Sequence, residues 1–375
     1  MGNINITGVS GDMNVGGDVV GRDKSININV EGSFQPGSAP PLPSLFIGRE
    51  DDLRTLKARL GVGKDTPAQL QILTAIRGWP GIGKTTTAAA LAHDTEIAQA
   101  FPDGVLWISL GPTPELFSKL AEWGRALGVD DLLKVQTLEE ASARLAALLR
   151  NKRRLLIVDD VWEPEHAIPF KVGGRGCAML ITTRINPVAN ALAPTPNDIY
   201  KLPALSHEAA LKLLQAIAPS FVEQYPTESL ELIRELEGLP LALQVAGYLL
   251  RVEMSYGFDV TDLIKELQQG AKLLEAKAPP DRTELANETT PTVAVLLQKS
   301  TERLDEHTRD YFAYLGVFAP KPATFDLEAM RAVWQIDDPK PFARILVDRG
   351  LLEAVGGRFQ MHALLVMHAK SLLQE

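Results

Sequence analysis

The sequence predicts an α/β protein in which a parallel sheet carries helices on both faces and two smaller, mainly helical domains follow. Two observations predict this class. Short apolar runs alternate with helical patterns over residues 45–203, and helical patterns dominate from residue 204 onward. Strands that alternate with helices favour a parallel sheet, because each crossover helix covers one of its faces.

The predicted sheet domain spans residues 45–203. Its strand-like runs lie at residues 70–76, 104–110, 154–158, 178–182 and 199–202, and two clear helical patterns lie at residues 84–93 and 114–127. At the second helix we expect Thr113 to be the N-cap and Pro114 the first helical residue, where the missing N–H of proline costs nothing.

Two further domains are predicted after the sheet. Residues 204–285 carry helical patterns, and Ser206 is the expected cap of the first helix. Residues 286–375 combine helical patterns with a hairpin around Gly356-Gly357, followed by a last helical pattern. Helices followed by a two-stranded wing describe a winged-helix domain.

Residues 1–44 differ in composition from everything after them. Isolated Ile and Val residues alternate with Gly, Asn, Asp and Ser, a period of two that indicates a short, β-prone segment interrupted by glycines. Prolines between residues 36 and 43 indicate an extended linker. Two interpretations stay open for the segment: amyloid-like stacking of its strands between chains, or a flexible glycine-rich tail.

The overall composition limits the function classes. Hydrophobic residues make up 45% and charged residues 23% of the 375-residue chain, as in ordinary soluble globular proteins. The net charge of −9 argues against a general nucleic-acid coat or a membrane-surface protein. Cys177 is the only cysteine, which excludes an internal disulfide. No signal-peptide pattern and no long apolar run is present, so we expect a cytoplasmic protein without membrane contact.

The strongest motif is a glycine-rich loop. Residues 78–85 (GWPGIGKT) fit the phosphate-loop pattern G-x-x-x-x-G-K-[ST] and lie between a strand-like run and a helical pattern. Glycines allow backbone N–H groups to face a polyphosphate, and the start of a helix favours an anion. Lys84 is expected to contact the β- and γ-phosphates and Thr85 to bind Mg²⁺. The motif therefore predicts a P-loop NTPase sheet.

Charged side chains also follow two other strand-like runs. Asp159 and Asp160 end one run, and Arg184 ends the next. Side chains at the carboxyl ends of parallel strands belong in the ligand crevice. We expect Asp159 to hold Mg²⁺, Asp160 to orient or deprotonate the attacking water, and Arg184 to contact the γ-phosphate. The structural alternatives are a carboxylate-capped surface turn and a solvent-exposed arginine.

Six motifs in one order resemble the NB-ARC family of signal-transduction ATPases with numerous domains (STAND), in its bacterial NLR-like type. They are residues 46–50 (FIGRE), 78–85 (GWPGIGKT), 155–162 (LLIVDDVW), 182–184 (TTR), 238–243 (GLPLAL) and 361–363 (MHA). The resemblance implies a P-loop domain, a helical domain and a winged helix that together clamp ADP.

The resemblance also implies the residues of an adenine-nucleotide site. The implied contacts are Ile47 and Arg49 over the adenine, Gly81, Ile82, Gly83, Lys84, Thr85 and Thr86 around the phosphates, Pro240 against the base and His362 at the β-phosphate. The implied catalytic residues are Lys84, Asp159, Asp160 and Arg184, and the implied Mg²⁺ ligands are Thr85 and Asp159. Ala363 stands where the family has an aspartate, which bears on the strength of the ADP-bound state.

A family member of this kind would act as an ADP/ATP switch with slow ATPase activity. The resemblance implies that the ATP state self-associates and signals, in bacterial defence or stress responses. It also implies an activating ligand or sensor partner, whose identity the sequence does not give.

Two alternative functions follow from the same motifs. A DNA-binding regulator would use the winged helix, but residues 291–375 carry 10 Lys and Arg against 11 Asp and Glu, a poor balance for binding phosphates. DNA is therefore not an expected partner. A small-molecule kinase would need an acceptor pocket and a lid, and residues 238–243 together with the wing argue against it.

Overall fold

The structure is a computed structural model that describes residues 39–43, 45–63, 72–77, 81–129, 135–257, 259–261, 263, 297–298, 300–321 and 323–373. Most of the β-prone segment, the first three residues of the phosphate loop and the predicted domain boundary near residue 285 lie outside these ranges. Within them, no helix is long and apolar enough to cross a membrane.

A five-stranded parallel sheet forms the first part of the described chain. Its strands are β1 (Ile72–Arg77), β2 (Val105–Gly111), β3 (Leu155–Val161), β4 (Ala178–Thr183) and β5 (Ile199–Lys201), in the order β2-β3-β4-β1-β5. All five overlap the runs predicted from the sequence. Since β4 lies between β1 and β3, the end of β4 faces both the phosphate loop and Asp159.

Helices cover both faces of this sheet. They are α1 (Glu50–Arg59), α2 (Lys84–Ala92), α3 (Thr95–Ala100), α4 (Leu116–Ala126), α5 (Leu138–Leu149), α6 (Pro164–Ala167) and α7 (Asn186–Leu192). Alternate residues of β3 belong to different hydrophobic clusters: Leu155 and Ile157 to one, Leu156 and Val158 to the other. Side chains of a strand alternate between faces, so both faces are buried and the predicted α/β class is confirmed.

Two predicted helix caps have different outcomes. The Oγ of Ser206 accepts a hydrogen bond from the N–H of Ala209 at 3.2 Å, as predicted. Thr113 was the wrong cap for α4, because this helix begins at Leu116 with Glu115 as its N-cap and no side-chain cap bond. Pro114 was likewise wrong as the first helical residue, because residues 114 and 115 are irregular and the helix begins only with its amphipathic stretch.

Four helices follow the sheet and form what we call the helical unit, residues 207–257. They are α8 (His207–Ile217), α9 (Pro219–Gln224), α10 (Pro226–Glu235) and α11 (Pro240–Ser255). On the buried side of α11, a Cβ placed on Gly247 would come within 2.9 Å of Ile217. The missing side chain therefore allows α11 and α8 to pack closely.

The described residues 297–373 form what we call the C-terminal unit. After residue 305 its elements are α12 (Glu306–Tyr314), α13 (Leu327–Trp334), α14 (Lys340–Asp348), β6 (Glu353–Val355), β7 (Arg358–Gln360) and α15 (Ala363–Leu372). Strands β6 and β7 pair as an antiparallel hairpin. The order of helices, hairpin and last helix is the order predicted from the sequence.

Candidate nucleotide-binding site

The described part of the phosphate loop, from Gly81 onward, leads into the start of α2. Gly81 and Gly83 have φ angles of +78° and +97°, a left-handed geometry that favours glycine. Gly83 is the N-cap of α2 and has no side-chain cap, so the first N–H groups of this helix are available to an anion. The loop therefore has the backbone geometry of a phosphate cradle.

Lys84 begins α2 and lies among the charges of the neighbouring strand ends. Desolvation and the Arg184 guanidinium lower its pKa to about 7, although Asp160 and Asp159 act in the opposite direction. A bound polyphosphate would supply the negative charge that favours the protonated amine. The environment of Lys84 thus fits a phosphate-binding cation.

The two predicted metal ligands are in direct contact. Thr85 Oγ1 donates to the Asp159 carboxylate at 2.9 and 3.1 Å, and the Thr182 hydroxyl also donates to Asp159. Burial and the nearby Asp160 raise the pKa of Asp159 to about 6. A hydroxyl beside a buried carboxylate is a donor set that suits Mg²⁺, which commonly takes its other ligands from phosphates and water.

Asp160 and Arg184 form an ion pair next to Asp159. Arg184 Nη2 donates to Asp160 Oδ1 at 3.2 Å, and the Trp162 indole N–H donates to Asp160 Oδ2 at 3.1 Å. The Arg184 guanidinium also lies 4.9 Å from the centre of the Trp162 ring. The Nε and Nη1 atoms of Arg184 are buried and have no hydrogen-bond partner among the described residues. These two nitrogens of Arg184 can therefore donate hydrogen bonds to an anion.

Arg49 connects the phosphate loop to the segment that leads into the helical unit. This side chain is 4% exposed, and its guanidinium donates to the Ile82 carbonyl at 2.7 Å, the Pro203 carbonyl at 2.8 Å and Asp52 at 2.9 Å. Tyr200 also donates to Asp52. The described contacts of Arg49 are therefore with protein groups at the edge of the pocket.

One pocket, with a volume of about 280 Å³, lies between the loop, the helical unit and the C-terminal unit. The predicted residues that line it are Ile47, Arg49, Gly81, Ile82, Gly83, Thr86, Pro240 and His362. Lys84, Thr85, Asp159, Asp160 and Arg184 form the adjoining charged cluster described above. The structure thus brings residues from positions 47 to 362 to one place.

His362 lies between β7 and α15 and caps that helix. Its Nδ1 accepts a hydrogen bond from the N–H of Leu364 at 3.2 Å, so in the neutral ring the proton is on Nε2. Desolvation, with the charges of Lys321, Arg184 and Lys84, places the pKa of His362 well below its usual value. The ring is therefore neutral at pH 7 and has one N–H to donate.

The structure adds pocket residues that the sequence did not indicate. On the C-terminal unit these are Lys321, Glu353 and Gln360, and on α11 they are Gln244 and Tyr248. None of these five residues belongs to a sequence motif. They come together only when the three parts of the chain pack against one another. Trp162 was inside a motif, but the motif did not indicate its contacts.

Comparisons with known proteins agree with this geometry. The NB-ARC domain profile matches residues 49–221. The chain is 28% identical over 349 residues to the regulatory protein AfsR of Streptomyces coelicolor, covering 90% of this chain and 33% of that protein. It is 29% identical over 223 residues to the apoptotic protease-activating factor 1 of Homo sapiens, covering 57% of this chain and 17% of that protein.

A solved structure has the same fold. It is a STAND protein with a tetratricopeptide repeat sensor from Pyrococcus horikoshii, with a TM-score of 0.56 and 18% identity, covering 89% of this chain and 44% of that one. This chain spans about a third of the length of AfsR. The profile match, the relatives and the shared fold together show that residues 49–221 of this chain carry an NB-ARC domain.

Proposed function

We propose that this chain is a molecular switch that is closed with ADP and opens with ATP. One observation carries the proposal: a single pocket is lined by the phosphate loop, by α11 and by His362 of the C-terminal unit. A ligand in that pocket contacts all three parts of the chain at once. It can therefore stabilise the closed arrangement, which is the differential interaction that any ligand-operated switch needs.

In the closed state, the site would hold ADP through contacts that do not need a γ-phosphate. Lys84 and the N–H groups at the start of α2 would bind its phosphates, and Pro240 would pack on the base. The Nε2–H of His362 would donate to the β-phosphate and so connect the C-terminal unit to the nucleotide. Backbone contact already joins the loop to the helical unit, since the N–H of Leu241 donates to the Gly81 carbonyl at 3.3 Å.

ATP would place a third phosphate near Arg184. Two nitrogens of that guanidinium have no partner among the described residues, and a γ-phosphate would supply acceptors for them. Thr85 and Asp159 would hold Mg²⁺, which supplies positive charge to the β- and γ-phosphate oxygens. We propose that the γ-phosphate displaces the His362 contact, so that the C-terminal unit moves away.

Hydrolysis would return the switch to its closed state. Water attacks the γ-phosphorus, the bond to the oxygen of the β-phosphate breaks, and Asp160 accepts the proton of the water. Asp160 is ion-paired with Arg184 at 3.2 Å, so its Oδ1 is engaged until Arg184 moves to the phosphate. We therefore propose a slow ATPase that serves regulation.

The open form would self-associate and signal, with residues 1–44 as the output segment. Resemblance to regulatory and disease-resistance proteins supports a role in bacterial defence or stress signalling. An activating ligand or sensor partner would act on the closed form. The balanced charges of residues 291–375 give no reason to add DNA as a partner.

Two substitutions test the roles of Lys84 and Asp160. Lys84→Ala should abolish nucleotide binding, because it removes a phosphate contact from ground and transition states alike. Asp160→Asn should retain affinity and mainly slow turnover, since it removes the proton acceptor and the charge that pairs with Arg184 but no phosphate contact. Lys212→Ala, at a solvent-exposed lysine of α8, is the matched control and should behave as wild type.

Labelled ATP titrations and single-turnover rates measure both variants. Equal loss of affinity in Lys84→Ala and Asp160→Asn would contradict the role of Asp160. Mass spectrometry of nucleotide released from purified protein should identify ADP, and a guanine nucleotide in its place would contradict the adenine site.

A further inference from the structure

Gln360 is a buried polar residue on the wall of the pocket with an unused hydrogen-bonding atom. It ends β7, is 3% exposed and lines the pocket. Its side-chain Oε1 has no hydrogen-bond partner among the described residues. A buried acceptor without a donor costs folding free energy, so the unpaired Oε1 of Gln360 in a ligand pocket needs an explanation.

Neighbouring groups do not supply the missing donor. Lys321, on the same wall, pairs its amine with Glu353, and its backbone N–H donates to the Met361 carbonyl at 2.8 Å. His362 donates no hydrogen bond to another described residue in its neutral form, but it is the group we assign to the phosphate. Since no described residue donates to Gln360 Oε1, a ligand in the pocket is the donor that we consider.

Gln360 and His362 line the same pocket two positions apart in the chain. Gln360 ends β7, and His362, the N-cap of α15, has extended backbone angles of φ −67° and ψ 149°. Two residues of extended chain, one strand repeat, span about 6.6 Å. The two residues therefore line the pocket about one strand repeat apart.

The chemistry of a nucleotide limits what can meet this atom. Ionised phosphates accept hydrogen bonds and cannot donate, whereas ribose hydroxyls and the exocyclic amine of adenine can donate. The ribose follows the phosphates directly, and His362 is the proposed phosphate contact. A ribose hydroxyl is therefore the donor that a spacing of one strand repeat favours.

We propose that the Gln360 amide oxygen accepts a hydrogen bond from a ribose hydroxyl of the bound nucleotide. Gln360 is then a second nucleotide contact of the C-terminal unit, and it selects for an intact sugar where His362 binds phosphate. This assignment rests on the proposed nucleotide site. It makes closure of the C-terminal unit sensitive to the nucleoside as well as to the number of phosphates.

Calorimetry on nucleotide-stripped protein tests the assignment with four ligands: ADP, 2′-deoxy-ADP, 3′-deoxy-ADP and IDP. Wild type should bind one of the two deoxy nucleotides roughly five- to tenfold more weakly than ADP, the usual effect of one lost hydrogen bond. Gln360→Met, which keeps the length of the side chain, should weaken ADP similarly and bind that deoxy nucleotide as well as ADP. Gln298→Met, at an exposed glutamine of the C-terminal unit, should retain the wild-type discrimination.

Three results would overturn the assignment. They are equal binding of ADP and both deoxy nucleotides by wild type, unchanged discrimination between ADP and the deoxy nucleotides in Gln360→Met, and a loss of discrimination between ADP and IDP in that variant, which would assign Gln360 to the base amine. The wild-type comparison needs no variant, so a misfolded Gln360→Met protein leaves the test intact, and Gln360→Leu provides a second variant. Failure of wild type to bind any adenine nucleotide would instead refute the proposed function.

Discussion

At the scale of single residues, Trp162 connects the two charged groups that the proposed chemistry needs. Its indole N–H donates to Asp160, and its ring lies against the guanidinium of Arg184. Asp160 itself has a φ of +53°, a geometry that is costly for a residue with a side chain. The backbone of Asp160 is strained, and hydrogen bonds from Trp162 and Arg184 fix the direction of its carboxylate. Trp162 therefore positions both Asp160 and Arg184.

Trp162→Phe should lower kcat several-fold and leave ATP affinity nearly unchanged. Phenylalanine keeps a ring beside Arg184 but cannot donate to Asp160, so only the proton acceptor loses a contact. Trp334→Phe is the matched control, because the indole N–H of Trp334 donates to the Tyr311 carbonyl in the C-terminal unit. Steady-state kinetics measures both variants. An equal loss of kcat in the two would assign Trp162 a merely structural role.

Site residues could be predicted from the sequence where the chemistry requires particular residue types at a fixed spacing along the chain. Lys84 and Thr85 are adjacent in a loop pattern, and Asp159 ends an apolar strand, so their neighbourhood follows from local rules. The contacts of Trp162 and Gln360 depend on which side chains meet after packing. No local pattern predicts such contacts. The unpaired amide oxygen of Gln360 in the pocket could therefore not be predicted from the sequence.

At the scale of elements, the end of α14 packs against α11. Gly350 follows α14 with a φ of +68°, and a Cβ at this position would lie 2.5 Å from the ring of Tyr248. Both residues line the nucleotide pocket. Absence of a side chain at Gly350 thus allows the C-terminal unit to approach the helical unit at the pocket.

Gly350→Ala should destabilise the protein and weaken ADP binding, because the new methyl group pushes Tyr248 out of place. Gly356→Ala is the matched control: its φ is +57°, but a Cβ there meets nothing within 4 Å. Both variants carry the backbone strain of a left-handed alanine, so their difference isolates the clash. We expect Gly350→Ala to be less stable by about 1–3 kcal/mol in denaturant unfolding. Equal stability would contradict a tight contact.

The elements themselves were predictable to different degrees. The five strands were found because each is a short apolar run bounded by polar residues. α5 was missed although Ala141, Leu145 and Leu149 give it a helical apolar face. α3 has six residues and one buried side chain, Ile97, too little periodicity to distinguish it from a loop.

At the scale of the whole molecule, the closed arrangement rests on contacts between units as well as on the pocket. Glu253 of α11 lies 3.6 Å from Arg349 and 3.9 Å from Arg303, both in the C-terminal unit. Arg251 of α11 also donates to the Asp348 carbonyl at 3.3 Å. At 3.6 and 3.9 Å, the two ion pairs of Glu253 are longer than hydrogen bonds, so a nucleotide that holds or releases His362 can decide the balance between the closed and open arrangements.

The family resemblance predicted that distant motifs would meet, and the structure brings them to one pocket. The contacts of α11 with the C-terminal unit could not be predicted, because they join residues about 50 to 100 positions apart with no motif around them. Domain movement between nucleotide states is the central claim of the proposed switch.

The distance between the sheet and the C-terminal unit tests that claim directly. Fluorescent labels at exposed positions of α4 and α13, introduced as Arg125→Cys and Arg331→Cys with the buried Cys177 replaced by alanine, report this distance by energy transfer. We predict a longer distance with a non-hydrolysable ATP analogue and Mg²⁺ than with ADP, and a longer distance with ADP once His362→Ala is added. The same distance in both saturated nucleotide states would contradict the switch.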